Sequence, residues 1–352
     1  MARGFISDLR LGARILRARA RGRPLMLSHL LTRRCDARCA TCLWRADADV
    51  TGVAQAPELT PEEATWLYQQ AAQEGFPLVV IWGGEPLLRP DLPHLVRRAQ
   101  AGGMAVVLIT NGWRLSERWP ELRGWLRTLI VSLDDVGERH DELRGLPGLY
   151  DRLDKFLFEL RQDPERPRVL VNTVLSQLNR GALRRVAVAA QRWKAELYFC
   201  AMETGFLLAE GFRGVKEELA LSPAQLREAA QLARELKAAG YPLLTTQAYL
   251  RLLGCDPGLH AYRCHFPEAV LTVEADGSVR DCTCRDRPVA NVKQAREGGS
   301  TLVGLMRSRS YLAMLEKAKS CTVCNNPDVI ETSWYWEMRP FMLRHGLALA
   351  RR

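Results

Sequence analysis

The sequence predicts an α/β fold: a partial (β/α)6 TIM-like barrel followed by a smaller C-terminal domain. Short apolar runs rich in Val, Ile and Leu recur along the first two thirds of the chain. Such runs are typical of strands buried in a parallel sheet. Segments with helical periodicity separate them, as a chain of βα units requires. Cysteines gather in two places, directly after the first strand and in the last third.

Six strands and four intervening helices are predicted. The strands are expected at residues 26–31, 78–82, 105–110, 129–133, 169–174 and 196–201. The helices are expected at residues 61–73, 91–101, 149–161 and 181–192. Thr60 before Pro61 is an N-cap followed by proline in the first helical turn, which marks a helix start. In α/β barrels the reacting groups lie at the carboxyl ends of the strands. The first cysteines follow strand one, so they are expected at that face.

Four regions are predicted along the chain. A basic amphipathic segment occupies residues 1–23, and the barrel residues 24–240. A C-terminal domain is expected at residues 241–328, where Asp276-Gly277 between alternating apolar residues predicts a hairpin. The last region, residues 329–352, is aromatic and basic. The first segment suits either an anionic membrane surface or a helix that closes the bottom of the barrel.

Composition limits the compartment and the partners. The chain has 352 residues, ten cysteines and a net charge of +10. Cysteines grouped at metal-ligand spacings indicate a reducing compartment, and neither a signal peptide nor a spanning segment is evident. We expect a cytoplasmic protein, with peripheral contact at the inner membrane face as an alternative. Positive charge also suits nucleic acid. The barrel region has no basic patch interleaved with aromatic residues, so no nucleic acid is expected.

The first cysteine motif is Cys35-x3-Cys39-x2-Cys42. Thiolate sulfur is a soft ligand that suits iron–sulfur clusters and zinc. Three cysteines leave one iron of a [4Fe–4S] cluster open for another ligand, whereas a closed zinc site requires four ligands. The motif resembles the cluster loop of the radical S-adenosylmethionine (radical SAM) superfamily. That resemblance implies a cluster whose open iron binds SAM, and it gives these cysteines the catalytic role. A zinc knuckle or three unrelated buried cysteines are the alternatives.

Four further motifs carry the same resemblance at the ends of successive strands. Gly83-Gly84-Glu85-Pro86 resembles the GGEP motif, whose backbone and acidic group hold the SAM amino group. Asn111 lies in a Thr-Asn-Gly turn typical of the superfamily. Ser132, Asp134 and Arg144 lie in a stretch that resembles SxD…HDxxRG. By this resemblance Ser132 and Arg144 contact SAM, with Arg144 holding its carboxylate, a pairing that suits a guanidinium. Asp134 is expected to bind a ribose hydroxyl or to position substrate.

Two positions carry weaker signals. Asn172 on strand five is expected to face SAM or substrate. Asp135 follows the SxD motif where the family usually has glycine, which leaves the geometry of this turn open. For Asp134 and Arg144, a surface salt bridge is the alternative to a functional role.

The second cysteine field resembles a Twitch domain, the shortened form of the SPASM domain. Cys264 and Cys282 flank the predicted hairpin, and a helix at residues 308–319 leads to Cys321 and Cys324. The resemblance implies that these four hold one auxiliary [4Fe–4S] cluster. Cys255 competes for the fourth position, because full SPASM proteins recruit a cysteine ahead of the hairpin. A structural zinc site is the alternative.

The resemblance implies a radical SAM enzyme of the oxidoreductase or transferase type. A low-potential reductant such as flavodoxin or ferredoxin would supply the electron that cleaves SAM to a 5′-deoxyadenosyl radical. This radical would abstract hydrogen from an unactivated C–H bond of a lipid-like or peptide substrate. The auxiliary cluster would then assist oxidation or bond formation. Dehydrogenation or epimerisation of a small sugar-like molecule is the alternative reaction. A non-enzymatic iron–sulfur or zinc scaffold, or an electron carrier, is the alternative class.

Overall fold

The computed structural model describes residues 2–42, 57–202, 217–255, 262–280, 288–321 and 324–342, with side chains of the first helix described from residue 9. Its centre is a set of six parallel strands in the order of the sequence. They are β1 (Met26–Thr32), β2 (Leu78–Gly83), β3 (Ala105–Thr110), β4 (Thr128–Ser132), β5 (Arg168–Leu175) and β6 (Glu196–Ala201). All six predicted strands are therefore confirmed, with ends that differ by at most one residue.

The barrel region contains eight helices among the described residues. They are α1 (Ala2–Ala20), α2 (Pro61–Gln73), α3 (Leu92–Ala101), α4 (Leu115–Leu122), α5 (Glu138–Arg144), α6 (Leu149–Leu160), α7 (Leu183–Arg192) and α8 (Pro223–Ala238). Thr60 caps α2 in a reciprocal capping box with Glu63, as the sequence predicts. This cap satisfies backbone N–H groups that the first turn leaves free.

Alternation along each strand separates an outer from an inner face. On β6, Leu197, Phe199 and Ala201 are buried in the main hydrophobic core. The residues between them, including Tyr198, are only half-buried. Burial alternates in the same way along β3 and at the carboxyl end of β5. The half-buried side chains point inward and line the lumen of the partial barrel, which is where a ligand would lie.

The C-terminal part extends the barrel sheet. It contains α9 (Gln247–Cys255), α10 (Phe266–Ala269), β7 (Val270–Val273), β8 (Ser278–Arg280), β9 (Ala290–Asn291), α11 (Val292–Glu297), α12 (Leu302–Met306), α13 (Arg309–Lys319) and α14 (Pro327–Trp336). β7 and β8 pair antiparallel, which confirms the hairpin. β7 also pairs in parallel with β1, giving one nine-stranded sheet. This long-range pairing was not predicted.

The N-terminal helix packs by one side against the amino-terminal end of the barrel. Ala18 is buried together with Val270 and Trp336. The Arg19 Nε donates to the Trp336 carbonyl at 2.6 Å, and its guanidinium lies 4.3 Å from the Trp336 ring centroid. Arg14 donates to the carbonyl of Phe76, just before β2. The packing alternative for this segment is therefore present. No helix in the described part of the chain is long and apolar enough to cross a membrane.

Candidate active site

The first cysteine motif lies at the carboxyl end of β1. Cys35 is exposed, whereas Cys39 and Cys42 are partly buried. The adjoining end of β2 supports the loop, because the Gly84 N–H donates to the Thr32 carbonyl at 2.7 Å and the Glu85 N–H to the Arg34 carbonyl at 2.8 Å. A Cβ on Gly84 would lie 2.3 Å from the Arg34 carbonyl oxygen. Glycine is needed here because the cysteine loop is so close.

Helix α5 holds the cysteine loop from the other side. The Arg38 N–H donates to the Arg144 carbonyl at 2.7 Å, and the Ala40 N–H donates to the Leu143 carbonyl at 2.8 Å. Gly145 ends the helix with φ +63°. A Cβ at Gly145 would lie 2.8 Å from the Arg38 Cβ. The glycine after Arg144 thus permits both the left-handed cap and the close approach to the loop.

Two side chains donate to the cysteine sulfurs. The Arg144 Nη1 lies 3.7 Å from the Cys39 Sγ. The Asn111 Nδ2 lies 3.9 Å from the Cys35 Sγ and donates to Asp36 Oδ1 at 2.8 Å. Partial desolvation of the thiols nevertheless raises the pKa of Cys35 to about 12 and also raises the pKa of Cys39. A bound metal cation would reverse this preference, because coordination removes the thiol proton.

Arg144 also forms an ion pair with Asp134. The Arg144 Nε lies 2.8 Å from Asp134 Oδ2, and both side chains are almost fully buried. Asp134 Oδ1 accepts from the Val174 N–H at 3.0 Å. Asp134 therefore links β4, β5 and Arg144, and this pair is not a surface salt bridge. Asp135 is also buried and binds Arg185 on α7 with both oxygens, at 2.8 and 2.7 Å. Asp135, which stands where the family usually has glycine, thus connects this turn to α7 through Arg185.

The Glu85 carboxylate is occupied inside the protein. Its Oε1 accepts from the Leu87 N–H and the Thr110 hydroxyl, and its Oε2 accepts from the Asn111 N–H. Burial raises the pKa of Glu85 to about 7, although these hydrogen bonds act to lower it. Pro86 is buried at the start of a short 3-10 turn. In the structure, Glu85 joins the ends of β2 and β3. Its predicted contact with the SAM amino group stays a prediction.

Three polar residues form one inward-facing layer across β4, β5 and β6. Ser132 is aligned with Asn172, and Asn172 with Tyr198. The Asn172 Oδ1 is buried and has no hydrogen-bond partner in the described part of the chain. An orphaned acceptor that faces a lumen is suited to a ligand's donor. Asn172 and Ser132 are thus placed where the sequence predicts a ligand.

Tyr198 and Asp328 were missed by sequence reasoning. The Tyr198 hydroxyl donates to Asp328 Oδ1 at 2.6 Å. Asp328 is exposed and lies on α14, four residues after Cys324. Burial raises the pKa of Tyr198, and the negative charges of Asp328 and Glu331 add to this effect. A strand alternation would have identified Tyr198 as inward-facing, but no local signal brings α14 to β6.

The second cysteine field is assembled from separate segments. Cys264 is buried, Cys321 follows α13 and Cys324 precedes α14, while Cys282 lies outside the described residues. Burial raises the pKa of Tyr262, and the negative charge of Cys324, Cys264 and Cys321 adds to this effect. All three cysteines therefore lie near one phenol. Cys255, the competing ligand, ends α9 and is exposed.

Neither cysteine field forms a preassembled metal site among the described residues, where no group of three potential ligands is arranged to hold an ion. The donor set nevertheless fits the predicted groups. Three thiols at the barrel face have cationic and amide donors beside them, and Asn172 offers an orphaned acceptor.

Comparison with known proteins identifies a domain in the N-terminal part of the chain. The model described as the Radical SAM superfamily matches residues 30–180, which include the cysteine loop, the glycine motif and Arg144. Residues 30–180 therefore form a radical SAM domain, which confirms the resemblance of the cysteine loop to this superfamily. Members of this family bind a [4Fe–4S] cluster and SAM.

Curated relatives of this chain carry different names. The AdoMet-dependent heme synthase of Methanosarcina barkeri is 33% identical over 190 residues, covering 52% of each chain. The PqqA peptide cyclase of Granulibacter bethesdensis is 27% identical, covering 75% of this chain and 73% of its own. The chain spans about half the length, or less, of the first four curated relatives it matches.

Solved structures confirm the fold of this radical SAM protein. Streptococcus suis SuiB bound to S-adenosylmethionine gives a TM-score of 0.64 at 15% identity, covering 86% of this chain and 72% of its own. Native anSMEcpe with bound AdoMet gives 0.64 at 15% identity, covering 92% and 99%. At such low identity these similarities establish the architecture alone.

Proposed function

We propose that this chain is a radical SAM enzyme that abstracts hydrogen from an unactivated C–H bond of an organic substrate. When bound, the cluster at Cys35, Cys39 and Cys42 would supply the electron that cleaves SAM to a 5′-deoxyadenosyl radical. The protein's task is then to bind SAM, to orient substrate and to keep water from the radical.

The observation that carries this proposal is the junction of Arg144 with the cysteine loop. Arg144 meets Cys39, and the backbone of the same helix end holds residues 38 and 40. Ordinary loop packing would not require a buried guanidinium beside a thiol. A charged donor next to a cluster ligand, with further N–H groups in the same fork, is suited to bind the SAM carboxylate nearby.

Each remaining site residue is proposed to act from its place at the strand ends. The backbone of Gly83 and Gly84 would receive the SAM amino group, since the Glu85 carboxylate is occupied by Thr110 and Asn111. Ser132 and Asn172 would contact SAM from the inward layer. Asn111 would act by positioning the cysteine loop through Asp36 and Cys35.

A C-terminal Twitch-like region is proposed to hold the auxiliary cluster. Cys264, Cys321 and Cys324 lie around Tyr262, and Cys282 would be the fourth ligand. Strand β7 of the hairpin next to this field pairs with β1. The auxiliary centre would therefore be attached rigidly to the strand that precedes the first cysteine loop. An electron could then pass from a substrate radical to the auxiliary cluster. A flavodoxin or ferredoxin is the proposed reductant of the first cluster.

The substrate is proposed to be a peptide or a lipid-like molecule that presents a hydrogen-bond donor to Asp328. The Tyr198–Asp328 pair provides an exposed carboxylate next to the inward layer, with no basic side chain paired to it among the described residues. One relative bears the name PqqA peptide cyclase, which favours a peptide. The match to a protein named AdoMet-dependent heme synthase favours a tetrapyrrole as the second candidate.

The test is 5′-deoxyadenosine formation by reduced, reconstituted protein. Peptide, lipid and tetrapyrrole fractions from the source cells would be added separately. Stimulation by one fraction is expected and identifies the substrate class. Absence of 5′-deoxyadenosine under every condition, with iron content intact, would contradict the proposed function.

An Asp328→Asn variant separates substrate binding from SAM cleavage. It should retain slow, substrate-independent SAM cleavage and lose at least about tenfold of the stimulation, because the charged acceptor is worth roughly 1.5–3 kcal/mol. Asp151→Asn on α6 is the matched control and should keep the stimulation. Full stimulation of Asp328→Asn would show that Asp328 does not contact substrate.

A further inference from the structure

The outward side of α1 carries an apolar stripe that the fold does not use. On an α-helix, positions 9, 13, 16 and 20 fall on one side. All four residues are exposed. Leu9 is 48% exposed and Leu16 is 47% exposed, among the most exposed large apolar side chains described. The opposite side of the helix contains buried Ala18 and half-buried Ile15, which pack on the barrel. A helix docked by one side normally presents a polar outer side.

Arginines border one side of this stripe. Arg10 and Arg17 are exposed, lie about a quarter-turn from Leu9 and Leu16, and form no ion pair with an acidic side chain among the described residues. Arg21 is exposed just beyond the end of the helix. Apolar side chains bordered by arginines match the interface of an anionic bilayer, where leucines enter the acyl boundary and guanidinium groups reach phosphate.

We propose that the stripe formed by Leu9, Ala13, Leu16 and Ala20 docks the protein on an anionic lipid surface. The helix would lie in the plane of the interface with its Ala18 side still packed on the barrel. Because α1 covers the amino-terminal end of the strands, the carboxyl-end active site would face away from the membrane. The positive charge beside the stripe favours an anionic lipid surface over a second copy of this chain as the occupant. The arginines of two copies would repel each other.

The test is co-sedimentation of the full chain with vesicles. Vesicles of phosphatidylcholine containing phosphatidylglycerol should bind the protein, and vesicles of phosphatidylcholine alone should not. Raising the salt concentration from about 0.05 M to about 0.5 M should weaken binding, because salt screens the arginines. Equal binding to both vesicle types, or no binding to either, would overturn the proposal.

Two sets of variants assign the binding to the stripe. Leu9→Glu/Leu16→Glu should abolish binding, while Leu312→Glu should retain it, since Leu312 on α13 is 49% exposed and lies outside the stripe. Arg10→Gln/Arg17→Gln should weaken binding by roughly twenty- to thirtyfold, at about 1 kcal/mol for each arginine. The arginine pair preserves the apolar packing of α1, so it keeps the test valid if the glutamate pair unfolds the helix.

Three results would overturn the assignment. One is equal loss of binding in Leu312→Glu, and another is unchanged binding in the arginine pair. The third is a dimer in sedimentation velocity, dissolved by the glutamate pair, with no vesicle binding. That last result would assign the stripe to contact between copies.

Discussion

The two cysteine fields are built in different ways. The first is one contiguous loop, held by backbone hydrogen bonds to the end of β2 and to the end of α5. The second is assembled from the segment before α10 and the segment between α13 and α14, with Cys282 outside the described residues. Local motifs therefore place the predicted ligands of the first field. The second depends on contacts between elements far apart in sequence, so its ligand set requires direct measurement.

The largest expected effect separates the proposed roles of the two cysteine fields. Cys39→Ala should reduce 5′-deoxyadenosine formation to background, because the first cluster would lose a ligand and the Arg144 contact. It should also lose about four of about eight irons, since each cluster is expected to be [4Fe–4S]. Product assay by chromatography and iron analysis measure both effects. SAM cleavage at the wild-type rate would remove the first field from catalysis.

The ligand set of the second field can be tested by two substitutions. Cys264→Ala should lose about four irons yet retain substrate-independent SAM cleavage, because Cys264 is buried beside Tyr262 and far in sequence from the first loop. Cys255→Ala is the matched control and should keep all irons. If instead Cys255→Ala loses iron and Cys264→Ala does not, Cys255 is the ligand.

The buried carboxyl group of Glu331, which lies near Tyr198, should make the stability of the protein depend on pH. Burial raises the pKa of Glu331 to about 7, and its carboxylate accepts from the Thr246 N–H at 2.8 Å. Between an unfolded pKa near 4.5 and the folded value of about 7, only the unfolded state releases this proton. Because ionisation of Glu331 favours the unfolded state, the free energy of unfolding falls as pH rises through this window.

Glu331→Gln should remove that loss. Its free energy of unfolding relative to wild type should increase from about pH 4.5 to about pH 7 by on the order of 2–3 kcal/mol, and remain constant above. Urea unfolding at several pH values measures this difference. Glu142→Gln, which changes an exposed carboxylate, is the control. A difference that does not change with pH would show that Glu331 is already ionised in the folded protein at pH 5.

The smallest expected effect concerns the glycine that lets α5 approach the cysteine loop. Gly145→Ala places a Cβ in a left-handed conformation and 2.8 Å from the Arg38 Cβ. Gly148→Ala meets the same backbone strain with nothing within 4 Å. Each should lose about 1 kcal/mol to strain, and Gly145→Ala should lose roughly a further 1 kcal/mol to the clash. Equal stability in thermal unfolding would show that the loop adjusts freely.

The barrel was predictable because its signals are local. Apolar runs gave the six strands, and Thr60 with Pro61 gave the start of α2. Asp276-Gly277 likewise predicted the β7–β8 hairpin. The parallel pairing of β7 with β1 could not be predicted, because it joins segments separated by more than two hundred residues and leaves no pattern in either.

Sequence motifs selected candidate site residues, but they did not predict the contacts between those residues. Sequence motifs identified Arg144 and Asp134 separately, and the structure joins them in a buried ion pair. The Glu85 motif predicts a ligand contact, whereas its carboxylate binds the end of β3. Tyr198 and Asp328 carry no motif, since their meeting depends on the packing of α14 against β6. Motifs therefore indicate chemistry, and tertiary packing decides which atoms remain available to it.

The most direct test of the first field's role is electron paramagnetic resonance of the reduced Cys264→Ala variant. With the auxiliary cluster removed, the remaining [4Fe–4S]+ signal should shift when SAM is added, because SAM would bind the open iron. A Cys39→Ala/Cys264→Ala variant should lose the signal. A signal unchanged by SAM, or one that persists in the double variant, would contradict the assignment of Cys35, Cys39 and Cys42 to the SAM-binding cluster.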